Sequence, residues 1–561
     1  MKSSANGSSG AFPRAVDAAV LVGFALFAAV YFLGRWQGVH PFPYLGGDAS
    51  NIASFAAALD HPERFARDAA MGDPSNFGFY FTVHLPLLRW LAPVFGSYGT
   101  AFVSLLPLHV FLQCAGFYWL GIVLFRHRGW ALMLAAVNLA PIALTPETGW
   151  GVLQDPIPRF SFQALLPFVL AFALTSRDTP KRWPLVMLVA GLLIYVHPVS
   201  APGWGFGLWL GWLAFRPANS TSRFWLVCWG SSAVVFLATS ALFLIRYLTH
   251  HDHGVRSEAD FDQVYAILLA MRPLAYFDVF HALRGFAADW AGPRALLWPW
   301  ALLGAIWVSR TSAEARRVVT AVALWAAGLT IVSVGIPLAE QFAARAFRHL
   351  PVQVDLIRGL RYLVPIVLLG CVGSLAVASR RLAAHPQLRR GVGVVGFAFT
   401  VGWLAAHPPA PALGAMRCFA QGSFSCEPRV WQIEGEAISA VQQFVPPGST
   451  LLASYKSPSL KLRHHGLVAL AHCRKDLGVF MFANHTELLR WMAIHQRLSR
   501  VTNAKTPALR LRGISEIARR LHADYLLVDA RFQAARATPG TRRAGLEVLW
   551  SNDHHSLMRV P

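Results

Sequence analysis

The chain has 561 residues, 55% of them hydrophobic and only 14% charged, and its mean hydropathy of +0.43 is too high for an ordinary soluble globular protein. The formal net charge is +22. The positive residues sit in short loops between apolar segments, where membrane topology and anionic lipid account for them, and this argues against a nucleic-acid partner.

The first apolar segment runs from Ala18 to Gly34. Asp17 precedes it, Arg35-Trp36 follows it, and no A-x-A-type cleavage site lies there, so it is expected to be a retained span and not a signal peptide. A helix needs about 20 mostly apolar residues to cross a bilayer. Further spans are expected at 101–125, 130–144, 162–175, 183–196, 202–215, 224–248, 295–308, 318–338, 362–378 and 391–406, about 11 crossings in all. The fifth and sixth of these are short and meet at a tight His197-Pro198 turn.

Every second loop is basic: Arg126-His127-Arg128, then Arg177 to Arg182, Arg216 to Arg223, Arg310 to Arg317 and Arg380 to Arg390. The loops between them hold Asp48, Asp60, Asp68, Asp73, Glu147 and Asp155. Lys and Arg are retained on the cytoplasmic side, so the acidic loops are expected outside, facing the periplasm of a bacterial inner membrane. An odd number of crossings from an inside N-terminus puts the C-terminal region outside as well.

Three outer segments stand out. Residues 36–99 form a large first loop, with a helix expected at 49–59, an acidic stretch, and a second helix at 83–94 carrying Arg89 and Trp90 at the interface. Residues 249–292 are rich in His, Asp and aromatics, and 341–361 are short and basic. After Ala406 the segment His407-Pro408-Pro409-Ala410-Pro411 reads as a linker. Beyond that segment the chain is α/β in rhythm, with helices expected at 430–444, 486–497 and 514–522 and strands at 450–454, 467–471, 524–529 and 547–550. The fold class is thus an α-helical polytopic membrane protein with a C-terminal extracytoplasmic α/β domain, divided as 1–407 and 408–561. The chain carries no Gly-rich nucleotide fingerprint, P-loop or G-x-S-x-G elbow.

Of six cysteines, Cys114, Cys228 and Cys371 lie in apolar segments as packing residues. Cys418 and Cys426 flank a short loop beyond the last span, and outside the cell a disulfide between them is expected, with Cys473 left over.

The chemistry is expected in the outer loops. Asp48 follows Gly46-Gly47 just after the first span, where a carboxylate can act as general base toward an acceptor hydroxyl. Asp60 and Asp73 are expected to serve solubility, while Asp68 and His84 of the same loop are assigned to substrate binding. In the dense loop from Pro146 to Arg159, Arg159 suits a bidentate phosphate contact, with snorkelling to lipid as its structural alternative. Asp155 could bind a sugar hydroxyl or cap the turn, and His197, a lone His in an apolar setting, faces the same side. Arg345, Arg348, Arg358 and Arg361 stand outside against the positive-inside trend. Arg358 and Arg361, three apart, suit a lipid-linked phosphate, the alternative being an ion pair with Asp355. His250-His251-Asp252-His253 contains metal-ligand types, but adjacent loop positions do not preset a coordination shell.

An acid after the first span, a large first outer loop, about a dozen spans and a terminal outer domain together resemble the glycosyltransferase C superfamily. The segments GGDASNIASFAAALDHPERFARD, ETGWGVLQDPIPRFSF and IRGLRY are similar to a group of bacterial members. The resemblance implies an integral membrane enzyme that moves a sugar from a polyprenyl-phosphate carrier to a glycan, lipid or protein acceptor. It implies Asp48 as the base, with Arg159, Arg358 and Arg361 on the carrier phosphate and membrane lipids as surroundings. Many members carry two adjacent acids at this place, with metal dependence tied to the pair. Here Ala49 follows Asp48, a departure, and a divalent metal ion is the one cofactor candidate.

Two other function classes compete. A transporter or flippase of lipid-linked sugars needs ionisable residues or broken helices at mid-membrane, whereas charge here concentrates in loops. A membrane-anchored envelope assembly protein leaves the large first loop unexplained.

Overall fold

A computed structural model describes the chain except residues 1–11, 37–41, 44, 145–148, 217–221, 251–257, 272–277, 349, 351–354, 423–428, 455–458 and 536–544. Most of it is helical, and a small five-stranded sheet lies near the C-terminus. Six described helices are long and apolar enough to cross a membrane: Ala15–Trp36, Tyr98–Phe125, Pro158–Thr175, Arg223–His250, Ala313–Ala344 and Leu356–Arg381. A seventh crossing results if the bent pair Pro386–Ala406 and Ala410–Ala420 counts as one. This is a multi-pass membrane protein.

Each of the eleven apolar segments contains helix, but the expected count is not reached by single spanning helices. Arg128–Val137 and Trp183–Leu192 have 10 residues each, so at ~1.5 Å per residue neither crosses a core ~30 Å thick by itself. Hydropathy registers apolar residues and not where helices stop. The first of the two ends at Asn138, whose amide donates to the Leu134 carbonyl and whose side-chain oxygen accepts from the Trp150 indole.

The helices share two ends. The basic loops at 126–128, 177–182 and 380–390 follow Tyr98–Phe125, Pro158–Thr175 and Leu356–Arg381. Arg159 and Arg358 begin the latter two, at the opposite end of each rod. The hairpin of Trp183–Tyr195 and Ala201–Phe215 starts and finishes in basic loops and turns at His197.

Within the expected linker, residues 407–409 form a short non-helical break, and the helices on either side of it meet at 81°. Pro408 and Pro409 lack the N–H groups that would continue the first helix, and Pro411 sits in the first turn of the next, where no such donor is needed. Ala410–Ala420 then packs against Phe12–Trp36. Cys418 is disulfide-bonded, while its expected partner Cys426 lies outside the described residues. Cys114, Cys228, Cys371 and Cys473 are free and buried.

The sheet has the order β2-β1-β3-β5-β4, formed by β1 (Thr450–Ala453), β2 (Ala469–His472), β3 (Tyr525–Asp529), β4 (Glu547–Ser551) and β5 (His555–Arg559). β1 pairs parallel with β2 and β3, and β5 lies antiparallel between β3 and β4. Two apolar clusters, one around Ile438, Val441 and Leu462 and the other around Leu498, Leu511 and Ile514, cover its faces. Sequence pattern misses β5 because all but its last residue are buried, which removes the apolar-polar alternation. Between β2 and β3 the chain leaves the sheet. Leu477–Ala483 and Trp491 join the main core, and the Phe482 ring packs 5.5 Å from Phe79 of the first loop.

Candidate active site

In the first loop the helix Gly47–Asp60 is buried along almost its whole length by Ala49, Ala53, Ala56 and Ala57. Its one open face carries Asp48, Asn51, Ile52 and Phe55, the i, i+3, i+4, i+7 set of a single helix stripe. That stripe lines a cavity of about 180 Å³. Phe79, Tyr80 and Phe81 of the same loop, Arg159 at the start of Pro158–Thr175, His197 at the hairpin tip, and Asp355 and Arg358 ahead of Leu363–Arg381 complete one side. Phe243 and Tyr247 add aromatic wall, and Lys475, Val479, Met481 and Phe482 close it from the C-terminal region.

Four sequence-predicted residues therefore meet in one place: Asp48, Arg159, His197 and Arg358. The lining sets three cations against two carboxylates around aromatic walls, a surface suited to an amphiphilic anion. Asp48 Oδ1 lies 3.2 Å from Lys475 Nζ. Asp48 is deep in the protein, yet 55% of its side chain is accessible because the cavity borders it. Burial pushes its carboxyl upward, but Lys475, Arg358 and Arg159 together overcome that and hold it well below the usual carboxylate range. Asp48 is therefore ionised throughout the physiological pH range. Beside it, the Asn51 side-chain oxygen is buried with no hydrogen-bond partner among the described residues.

Two glycines have separate reasons. A Cβ at Gly47 would collide with the Lys475 side chain, so glycine there admits the lysine to Asp48. A Cβ at Gly46 would strike the Asp155 carboxylate, which accepts the Gly46 N–H at 2.8 Å.

The remaining sequence-predicted residues lie outside the cavity lining. Asp155 does not line the cavity: its oxygens are engaged by Gly46 N–H and by Arg35 at 2.6 Å, so it fixes the backbone that presents Asp48. Asp68 is sealed, with 0% side-chain exposure, under Arg463. It accepts from the Arg463 guanidinium at 2.8 and 2.9 Å and from the backbone N–H groups of Ala70, Met71 and Leu470, leaving no capacity for substrate. His84 is buried behind the cavity in a relay to Ser161 Oγ (2.8 Å) and on to His109 (2.6 Å). Arg361 lies on a 3-10 turn, Leu356–Tyr362, is 1% exposed and does not line the cavity; its Nε donates to the Arg358 carbonyl, and its two terminal nitrogens have no hydrogen-bond partner among the described residues. Asp60 pairs with Arg89 and accepts from Tyr98, and Asp73 caps a turn at Ser75, both structural.

His197 Nδ1 contacts Ser200 Oγ at 2.7 Å, and Tyr362 donates to the same oxygen. Burial first, then Arg361, Arg159 and Arg358, push its imidazole well below its ordinary value, so it is neutral at pH 7. Asp355 adopts a left-handed backbone (φ 49°) and reaches Arg358 at 3.5 Å.

Sequence inspection misses Lys475, which sits 427 positions from Asp48 with no local motif around it. It also misses Asn51, which the i, i+3 spacing from Asp48 could have found. Glu147, His251, Asp252 and His253 fall outside the described residues. A divalent ion does not fit the donor set: each lining carboxylate already pairs with a cation, and no cluster of three or more His, Cys, Asp or Glu suited to a metal occurs among the described residues.

No protein-family model matches the chain, and no curated protein sequence matches it. Among solved structures it is similar to ArnT from Cupriavidus metallidurans bound to undecaprenyl phosphate, at 13% identity and a TM-score of 0.45, over 98% of this chain and 99% of that one. It is also similar to ArnT from Cupriavidus metallidurans in the apo state, at 13% identity and a TM-score of 0.34, over 98% of each chain.

Proposed function

We propose that this protein is a membrane glycosyltransferase that moves a sugar from a polyprenyl-phosphate carrier to a hydroxyl of a glycan, lipid or protein acceptor. The observation that carries the reading is an accessible Asp48 in the same aromatic-walled cavity as Arg159 and Arg358. The donor phosphate sits on the two arginines, whose planar forks suit it. The acceptor oxygen forms a bond to the sugar's anomeric carbon as the bond from that carbon to the phosphate oxygen breaks. The hydroxyl proton goes to Asp48, and the electron pair leaves with the polyprenyl phosphate, whose added charge the arginines stabilise.

A carboxylate held this far down is a weak base, and donor binding corrects that. A phosphate anion on Arg159 and Arg358 offsets the positive field that depresses Asp48, so its proton affinity rises when the donor is in place. Neutral His197 and the Asn51 oxygen are positioned to accept hydrogen bonds from sugar hydroxyls.

In the full reading the cavity end faces the periplasm of an inner membrane, the basic loops face the cytoplasm, and the sheet region at 408–561 is an extracytoplasmic domain.

The test is transfer by reconstituted protein from a polyprenyl-phosphate sugar. Asp48→Asn should keep the thermal unfolding midpoint and binding of undecaprenyl phosphate while lowering turnover roughly 10²–10⁴-fold. Near-normal turnover by this variant would sink the assignment.

A further inference from the structure

A second, larger cavity of about 630 Å³ lies between helices at the basic-loop end. Its walls come from the end of Tyr98–Phe125, from Leu363–Arg381 along most of its length (Ile366 to Arg381), from Ala313–Thr330, and from Leu297–Ser309. Along Leu297–Ser309 the lining runs from Trp298 through Ala301, Leu302 and Ala305 to Val308. At ~1.5 Å per residue that stretch spans roughly 15 Å, half of a hydrocarbon core ~30 Å thick and hence the depth of one leaflet. No charged residue interrupts this apolar stretch.

The mouth is different. Arg126, Arg177, Arg380 and Arg381 surround it with Glu314 as the only acid. Arg177 is satisfied by Glu314 at 2.5 Å. Arg381 lies over the Trp307 ring at 5.5 Å, which orients it without neutralising it. Arg126 and Arg380 have no ion-pair partner among the described residues. Three cations thus stand uncompensated over an apolar slot one leaflet deep.

We propose that this cavity is a binding site for an anionic phospholipid of the leaflet that faces the basic loops, its acyl chain along Leu297–Ser309 and its phosphate and headgroup on Arg126, Arg380 and Arg381. A zwitterionic phospholipid would fill the slot equally well but leave the cationic mouth unmatched. No residue lines both this cavity and the Asp48 cavity.

The experiment uses the full chain, delipidated in detergent, with native mass spectrometry during titration by dioleoyl phosphatidylglycerol or dioleoyl phosphatidylcholine. The wild type should retain phosphatidylglycerol preferentially. A basic residue near an anionic headgroup contributes roughly fivefold in binding, so R126Q/R380Q/R381Q should weaken phosphatidylglycerol binding on the order of 100-fold and erase the preference. R316Q/R317Q, which removes two exposed arginines of the helix Ala313–Thr330 that do not line the cavity, should change neither. Ala305→Phe, which narrows the apolar slot, should weaken both lipids. Equal retention of the two lipids by the wild type would overturn the proposal, as would an unchanged preference in the triple variant, an equal loss in R316Q/R317Q, or undiminished binding in Ala305→Phe.

Discussion

Two charge clusters join the first loop to the C-terminal region, built from the same residue types and with opposite properties. Asp68, Arg463 and Asp476 form a closed triad in which Asp68 and Arg463 show 0% side-chain exposure and every carboxylate oxygen accepts a bond from Arg463. Asp48, Lys475, Arg358 and Arg159 form an open group around a cavity, in which Lys475 pairs with Asp48 at 3.2 Å. A satisfied ionic group deep in a protein holds parts together, because nothing further can reach it. An ionised group that is deep but borders open space retains binding capacity. Residue type says little about which of the two a carboxylate will be.

The largest expected effect breaks the closed cluster. Arg463→Ala leaves two carboxylates buried without a counter-ion, and removing one partner of a buried pair costs about 3–5 kcal/mol. The unfolding midpoint in detergent should fall sharply, unlike that of Asp48→Asn. A midpoint unchanged from wild type would mean that the triad is not what ties the first loop to the sheet.

The next effect sharpens the open cluster. Arg358→Ala removes a charge-assisted phosphate contact of about 1.5–3 kcal/mol, so the donor KM should rise roughly 10–100-fold with kcat less affected. A loss confined to kcat would assign Arg358 to the chemical step in place of donor affinity.

The smallest expected effect is a shift in pH dependence. Lys475 is the foremost of the cations that hold the Asp48 carboxyl down against its burial. In Lys475→Gln the proton affinity of Asp48 rises, so the acid limb of the activity profile should move to higher pH. The same linkage acts on stability. With its folded-state value lowered, Asp48 stabilises the fold above the ordinary carboxylate value of ~4, and that contribution disappears as pH falls through the folded-state value. Lys475→Gln should flatten this acid-side dependence, and identical profiles for the two proteins would show that Lys475 does not govern Asp48.

Much of the fold was legible. Each apolar segment that hydropathy picked out contains helix, because burial in lipid acts on local composition, although only six or seven of the described helices are long enough to cross. Helix ends were not legible where the stop depends on a distant partner, as at Asn138 with Trp150. At 407–411 the prolines mark the break at 407–409, but only packing against Phe12–Trp36 shows that the chain turns there and continues as helix.

The site divides in the same way. The sequence by itself determined that an acid follows two glycines at the head of a short helix, that Arg159 and Arg358 precede apolar helices, and that His197 ends a hairpin. Tertiary structure decided that Asp48 is open and Asp68 sealed, that Asp155 braces the loop, and that Lys475 completes the cavity. The physical reason is that the partners fixing those outcomes lie 395 residues from Asp68, 109 from Asp155 and 427 from Asp48. Periodicity and composition are properties of a few turns of chain. Accessibility and ion pairing belong to surfaces that meet only once the chain has folded.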